Sequence, residues 1–239
     1  MDFSELSHQS EIRDSLDKIF NEHCSQERLK KYDSNFKHDK NLLSLLASKG
    51  YLGLGLNEKY GGSGEDLYDL GILFERLGYH ATPLSLSGCL VDVAQTIQKF
   101  SNEESCNEIL GSIIAGEIYT SAILEPSNQD PENPETTAKI EDDQLIITGT
   151  KYLSEITSIA KSILISASSN KGVLLILVDT DQVKLTELSS TANSPLFKVE
   201  LDSVKVNKES IIHEQGRGLE ALRYPVSYTH LTLPTSYAV

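Results

Sequence analysis

The stretch GEIYTSAILEP, residues 116–126, separates two halves of the chain that follow different hydrophobic patterns. On its N-terminal side, apolar residues recur at the spacing of amphipathic helices. On its C-terminal side, short β-branched runs alternate with turn-forming residues. We therefore predict an α+β fold with an all-α domain over residues 1–117, followed by an antiparallel β-barrel domain over residues 118–213.

Five helices are predicted in the first half. In the first of them, Ile12, Leu16 and Ile19 recur on one face and charged residues fill the positions between them. Ser101 and Glu104 have the spacing of a capping box at the start of the last helix. The glycine-rich loop at 51–64 lacks the ending of a P-loop, so we interpret its glycines as turn and packing residues. The predicted helices span residues 5–24, 39–49, 66–77, 86–100 and 102–115.

Five strands are predicted in the second half, and no long helical pattern interrupts them. This spacing favours an antiparallel barrel or sandwich over a parallel sheet with crossover helices. The acidic run Glu141-Asp142-Asp143 precedes a strand and is interpreted as a hairpin turn. The predicted strands span residues 145–148, 162–167, 173–178, 183–188 and 197–206.

Composition narrows the function classes. The chain has 239 residues and a formal net charge of -14, which disfavours nucleic acid and anionic membrane surfaces as partners. No apolar run approaches the roughly 20 residues of a membrane span, and the N-terminus does not have the pattern of a signal peptide. We expect a cytoplasmic protein with no membrane span and no nucleic-acid partner.

Neither a disulfide framework nor a metal site is predicted. The three cysteines are odd in number and widely spaced. The histidines considered show no mutual spacing suited to a metal or a catalytic triad. They are His8, His23, His38, His80 and His213.

Several short motifs occur in the order found in one known family, and the chain resembles the acyl-CoA dehydrogenases over about residues 5 to 225. No single motif would suffice alone. The motifs are LASKGYLGL at 46–54, EKYGGSG at 58–64, FERLG at 74–78, AGE at 115–117, LEP at 124–126, GTK at 149–151, Ala160 and QGRGL at 215–219.

The resemblance implies a helical N-terminal domain, a β-barrel middle domain and a C-terminal four-helix domain, with FAD and an acyl-CoA thioester held between them. It implies oxidation of the thioester to a 2,3-enoyl-CoA, with FAD as the hydride acceptor. Homo- or hetero-oligomers and an electron-transfer partner are also expected. By the same resemblance, flavin contacts fall on Ala122, Ile123, Leu124, Leu153, Ser154 and Glu155, and substrate contacts on Ser121 and Asp130.

Four of these positions depart from the family pattern. Leu124 stands where the family usually has a Thr that can hydrogen-bond the flavin ring, and Asp130 replaces a Ser. Leu153 replaces an aromatic residue, and Glu155 replaces a Ser or Thr. Two interpretations stay open: a flavin-dependent acyl-CoA dehydrogenase, and a flavin-free, non-catalytic partner subunit of a hetero-oligomeric one.

The last residues do not continue the family pattern. Residues 214–225 are expected to begin the C-terminal helical domain, whereas residues 226–239 have no helical period and resemble the translation of a sequencing adapter. We expect native sequence to stop near Pro225. The family carries its carboxylate base in the missing domain, so no catalytic residue is assigned and the chain alone is expected to be inactive.

Overall fold

A computed structural model describes residues 6–33, 38–64, 66–128, 130–190 and 195–226. The expected non-native tail therefore lies almost wholly outside the described residues. Contacts define two compact units. The first comprises the described residues up to Leu84 together with Ile114–Gly116, and the second comprises Ser85–Ile113 with the described residues from Glu117 onward. This division differs from the predicted domains because it groups two helices of the N-terminal half with the sheet.

The first unit contains four helices. Helix α1 packs against α4, and their charged residues pair at a nearly constant offset: Arg13 with Glu75, and Asp17 with both Arg76 and His80. Because the residue numbers rise together, the two helices run in the same direction. The helices are α1 (Ser7–His23), α2 (Gln26–Asp33), α3 (Lys40–Ser48) and α4 (Leu67–Tyr79).

The glycine-rich loop of the first unit serves turns and close packing, as predicted. Gly50 follows α3 with a φ of 81°, in the left-handed region that ends many helices. A Cβ at Gly62 would lie 2.1 Å from the backbone oxygen of Leu56, so only glycine fits there. These glycines are therefore structural.

The second unit contains a π-helical segment, Gly88–Val93, which continues into α5 (Ala94–Phe100), and the helices α6 (Glu103–Ile114) and α7 (Gly218–Val226). The predicted capping box of α6 is wrong. Asn102 Oδ1 accepts from the Ser105 amide at 2.8 Å, while Ser101 Oγ donates to the Ile212 carbonyl at 2.7 Å. The cap thus lies one residue later than predicted.

Seven strands form one curled, mixed sheet in the second unit. The order is β1-β4-β2-β3-β7-β6, and β5 pairs with β4. The bounds are β1 (Tyr119–Ala122), β2 (Thr137–Glu141), β3 (Gln144–Glu155), β4 (Ser162–Ser169), β5 (Gly172–Asp179), β6 (Lys184–Leu188) and β7 (Leu196–Asn207).

The sheet corrects the expectation of purely antiparallel pairing. Strands β1 and β4 pair in parallel over four residues, and β2 meets β4 in parallel at one position. The β2–β3 hairpin lies between β1 and β4 in sequence, and this long connection permits a parallel return. The predicted turn at Asp142 and Asp143 is confirmed, with Asp142 at a φ of 49°.

The core of the sheet is aliphatic. Leu145, Ile147, Ile163, Ile165 and Val199 are completely buried within it. Two register shifts between β3 and β7 interrupt the regular pairing. The shift between Lys151 and Ser154 shapes the surface described below.

Candidate functional site

All the family-derived positions except Asp130 gather where β1 and β3 end, within the second unit. These strands do not pair directly in the sheet, yet side chains link them. Thr120 Oγ1 donates to the Glu155 carbonyl at 2.8 Å, and Ser154 Oγ donates to the Ser121 carbonyl at 2.8 Å. The Tyr152 amide donates to the Leu124 carbonyl at 2.8 Å. Residues 121–124 are thereby held against residues 152–155.

Two of the expected flavin-contact residues are buried. Ser154 is 1% exposed, and its hydroxyl also accepts from Thr157 Oγ1 at 2.8 Å. Ala122 is 2% exposed and belongs to the apolar core of the sheet. Neither side chain is placed to contact a ligand on the protein surface.

Leu124 and Leu153 are, by contrast, exposed. Their exposed fractions are 46% and 44%, in a chain whose other leucines mostly lie in the cores. A β-bulge explains Leu153: the shift in pairing between Lys151 and Ser154 adds a residue to β3, and Leu153 has a φ of 59°. Bulges commonly redirect a side chain at functional edges. Here the bulge presents an apolar side chain.

Two carboxylates, Glu155 and Asp92, also belong to this cluster. Glu155 accepts a hydrogen bond from Ser85 Oγ, and Asp92, on the π-helical segment, accepts from Ser121 Oγ at 2.5 Å. Burial and, to a smaller extent, the charge of Glu155 raise the pKa of Asp92, the bond from Ser121 lowers it, and the net result is a pKa of about 6. The site therefore concentrates negative charge.

A buried ion pair between Lys151 and Glu125 stabilises the site. Lys151 is fully buried, and its Nζ donates to Glu125 Oε1 at 2.8 Å, Ser166 Oγ at 3.0 Å and the Ile123 carbonyl at 3.2 Å. Burial alone would raise the pKa of Glu125, but bonds from Lys151 and from the amides of residues 135 and 136 lower it to about 2. The pair fixes residues 123–125 to β3.

Asp130 is not part of this cluster. Its carboxylate accepts from the Glu132 amide at 3.0 Å and from Asn133 Nδ2 at 2.6 Å, which closes its own loop. The bond from Asn133 lowers the pKa of Asp130. The Asp130 carboxylate thus stabilises a turn, and its contact with substrate stays a prediction.

Sequence reasoning did not identify Asp92 and Ser85 as members of the site. A signal for Asp92 was present, because it is a single carboxylate in the apolar run GCLVDVAQTI at 88–97. A charge in such a run must be paired or functional when the run is buried. Ser85 carries no comparable signal, since its role depends on where β3 ends.

Comparison with known proteins finds relatives of this chain. The family model for the acyl-CoA dehydrogenase N-terminal domain matches residues 7–117. This part of the chain belongs to the acyl-CoA dehydrogenase family. Curated relatives include the short/branched chain specific acyl-CoA dehydrogenase of Bos taurus, 26% identical over 79% of this chain and 46% of that protein. Another is the 3-(aryl)acrylate reductase of Clostridium sporogenes, 25% identical over 78% of this chain and 53% of that protein. The chain spans about half the length of the curated relatives it matches.

Solved structures share the fold. The steroid ACAD Tcur3481-Tcur3483, as its G363A variant, matches with a TM-score of 0.84 and 27% identity over 95% of this chain and 62% of that chain. The acyl-CoA dehydrogenase of Geobacillus kaustophilus matches with a TM-score of 0.88 and 19% identity over 99% of this chain and 66% of that chain. None of the helices in the described ranges combines the length and apolar character that a membrane crossing requires.

The side chains of the site do not fit the flavin that the family uses. The leucine side chains at 124 and 153 supply no hydrogen-bond donor. Glu155 accepts a hydrogen bond from Ser85, and the charge of Glu155 raises the pKa of Asp92. The carboxylates of Glu155 and Asp92 would repel a pyrophosphate placed at this edge.

Proposed function

We propose that this chain is a flavin-free, non-catalytic subunit of a hetero-oligomeric acyl-CoA dehydrogenase. The observation that carries the proposal is the set of side chains at the expected flavin contacts, residues 122–124 and 153–155. Leu124 and Leu153 are exposed there, and Glu155 is bonded to Ser85 of its own chain. In such an assembly, a sister subunit supplies both the flavin and the catalytic base.

The internal bonds of the site support this proposal. The hydroxyls of Ser85, Ser121 and Ser154 all donate to groups of the chain itself. A cofactor site usually keeps a few polar groups directed at the ligand. In this chain those groups hold two strands and a π-helical segment together instead. We therefore infer that residues 121–124 and 152–155 have a structural role.

Two structural relatives are consistent with a mixed assembly. One is described as the ChsE4-ChsE5 complex of Mycobacterium tuberculosis, with a TM-score of 0.88 and 20% identity over 98% of this chain and 64% of that chain. The other is the Tcur3481-Tcur3483 steroid ACAD reported above. Both descriptions name two proteins. The 20% identity to the ChsE4-ChsE5 complex supports the fold alone, and the assembly of this chain is our proposal.

The test is to purify the chain alone and together with each acyl-CoA dehydrogenase encoded by the same genome. We expect the chain purified alone to be colourless and not to quench FAD fluorescence saturably. When it is expressed with the dehydrogenases, we expect it to co-purify with one that carries flavin. A matched variant carrying Leu124→Thr and Glu155→Thr restores the family residues, and we expect it to bind FAD at least about tenfold more tightly. Saturable FAD binding by the unmodified chain, unchanged in the variant, would contradict the proposal.

A second candidate follows from the curated relatives, four of which are named acyl-CoA dehydrogenases. In this alternative, the gene product itself oxidises an acyl-CoA thioester to the 2,3-enoyl-CoA with FAD as hydride acceptor. It requires main-chain groups near Ile123 and Leu124 to replace the missing side-chain donors. Flavin absorbance that bleaches when an acyl-CoA is added to the gene product alone would favour this candidate.

A further inference from the structure

Charged residues pair along the interface between α1 and α4. Acidic and basic groups are matched toward the C-terminal ends of the helices, whereas acidic groups are in excess at the N-terminal ends. Arg13 pairs with Glu75 at 2.7 Å, and Asp17 lies between Arg76 at 3.2 Å and His80 at 2.8 Å. Each of these carboxylates faces at least one cationic or imidazole partner. At the N-terminal ends of the helices, two carboxylates, Asp66 and Asp69, share one imidazole, His8.

We propose that His8, Asp66 and Asp69 bind a divalent transition-metal ion. The first observation is the convergence of their ligand atoms. One imidazole nitrogen and two carboxylate oxygens lie within 4.8 Å of one another. All three residues belong to the first unit, and α1 supplies one ligand while the start of α4 supplies the other two.

The second observation is an unpaired buried oxygen. Asp69 is 7% exposed, and within the described part of the chain its Oδ1 has no hydrogen-bond partner. This oxygen faces His8 Nε2 at 3.4 Å, longer than a good hydrogen bond between these groups. Leaving a buried acceptor without a partner is unfavourable, and more so for a charged group. A cation between the two groups would satisfy the carboxylate and offset the excess negative charge.

The backbone also prepares the site. Asp66 is the N-cap of α4, and its Oδ1 accepts from the Tyr68 amide at 2.8 Å. That bond orients the carboxylate and leaves its second oxygen for a ligand. Asp69 lies in the first turn of the same helix, so two ligands come from one rigid element. His8 is exposed and can close on the ion by a side-chain rotation.

The donor set indicates the class of metal. An imidazole nitrogen with carboxylate oxygens suits Zn²⁺ and similar ions, which bind such groups at about 2.0–2.2 Å. Three protein ligands leave a position for water. The sequence predicted no metal site because the ligands lie on two helices far apart in the chain, and only the pairing of α1 with α4 brings them together.

Metal titration of the full 239-residue chain tests the proposal, after removal of any affinity tag and treatment with a chelator. Co²⁺ absorption in the visible region reports coordination, and calorimetry with Zn²⁺ reports stoichiometry and affinity. We expect one Zn²⁺ per chain. His8→Ala and Asp69→Asn should each weaken binding by at least about tenfold.

His23→Ala is the matched control, because His23 lies on the same helix outside the cluster, and it should bind Zn²⁺ as the unmodified chain does. His8→Ala also separates metal binding from helix capping, since it leaves both carboxylates at the start of α4. Binding of less than one equivalent, or affinity that is the same in His8→Ala and Asp69→Asn as in the unmodified chain, would overturn the proposal. FAD binding does not enter this test, so its outcome is independent of the proposed function.

Discussion

The buried pair of Glu125 and Lys151 is the residue-scale feature with the clearest energetic consequence. Glu125→Gln leaves the Lys151 ammonium buried without its countercharge. We expect it to lower the free energy of unfolding by about 3–5 kcal/mol at pH 7. Chemical denaturation measures this directly. As a control, Glu75→Gln breaks a more exposed pair with Arg13 and should cost less than about 1 kcal/mol.

The same pair makes stability depend on acid. The pKa of Glu125 is about 2 in the folded chain, below its ordinary value near 4.5. Its contribution is therefore fully present above about pH 4.5 and is lost as the pH falls toward 2. Unfolding curves at pH 7, 5 and 3 should show this loss. In Glu125→Gln the decline below pH 4.5 should be shallower, and an identical decline in both proteins would contradict the assignment.

Asp92 is expected to act in the opposite direction. Its pKa is raised from 3.8 to about 6, so the folded state binds the proton more tightly and stability falls as the pH rises from about 4 to 6. Asp92→Asn keeps an acceptor for Ser121 and removes the charge. We expect the variant to lose this pH dependence and to gain up to about 3 kcal/mol at pH 7.5, since the pKa is raised by about two units and one unit is worth about 1.4 kcal/mol. Denaturation at pH 4.5 and 7.5 provides the measurement.

The residues of the candidate site show what a sequence can and cannot reveal. The departures at Leu124 and Leu153 were visible as residue types, and the structure shows both side chains exposed. Their surroundings were not visible, because the bonds of Ser85 and Asp92 depend on where β1, β3 and the π-helical segment meet. Properties that depend on the type of a single residue can be inferred from the sequence, whereas properties that depend on contacts between distant segments cannot.

At the element scale, the helices and strands with a strong hydrophobic period were predicted correctly. The helices near 7–23 and 67–79 and the strands near 162–169 and 172–179 were expected within a few residues. Two kinds of element were missed. Helix α2 is mostly charged and has no apolar stripe, and the strands β1 and β2 have only four and five residues, too few to show an alternation. The π-helical segment was predicted as ordinary helix, since its sequence carries no distinguishing period.

Two helical glycines of the second unit test how closely the π-helical segment approaches β1. At Gly88 a Cβ would lie 2.9 Å from Thr120 Oγ1, the hydroxyl that bonds to Glu155, so Gly88→Ala should destabilise by about 1–3 kcal/mol. At Gly111, in α6, a Cβ meets nothing within 4 Å. Gly111→Ala should therefore stabilise by about 0.5–1 kcal/mol. Thermal melts of the two variants should shift in opposite directions, and a shift of Gly88→Ala to higher temperature would refute the close approach.

At the scale of the whole molecule, the boundary of the second unit is the main difference from the sequence-based division. The segment 85–113 lies before the predicted boundary, yet it packs on the sheet unit through β1 and α7. Phe100 of α5 contacts Tyr224 of α7 with ring centroids 5.4 Å apart. The helical pattern of the sequence correctly identified helices, but periodicity does not show which core a helix joins.

Two fragments therefore distinguish the two divisions. Residues 118–226 contain the sheet without the π-helical segment and α5, whose Leu90, Val93, Ala94 and Ile97 are almost completely buried. Each large apolar side chain of this kind contributes about 1.5–3 kcal/mol when buried, so their loss is comparable to the whole stability of a domain. We expect residues 85–226 to give a cooperative thermal transition by circular dichroism, and residues 118–226 to aggregate or melt without one. Equal cooperativity in both fragments would instead support the boundary at residue 117.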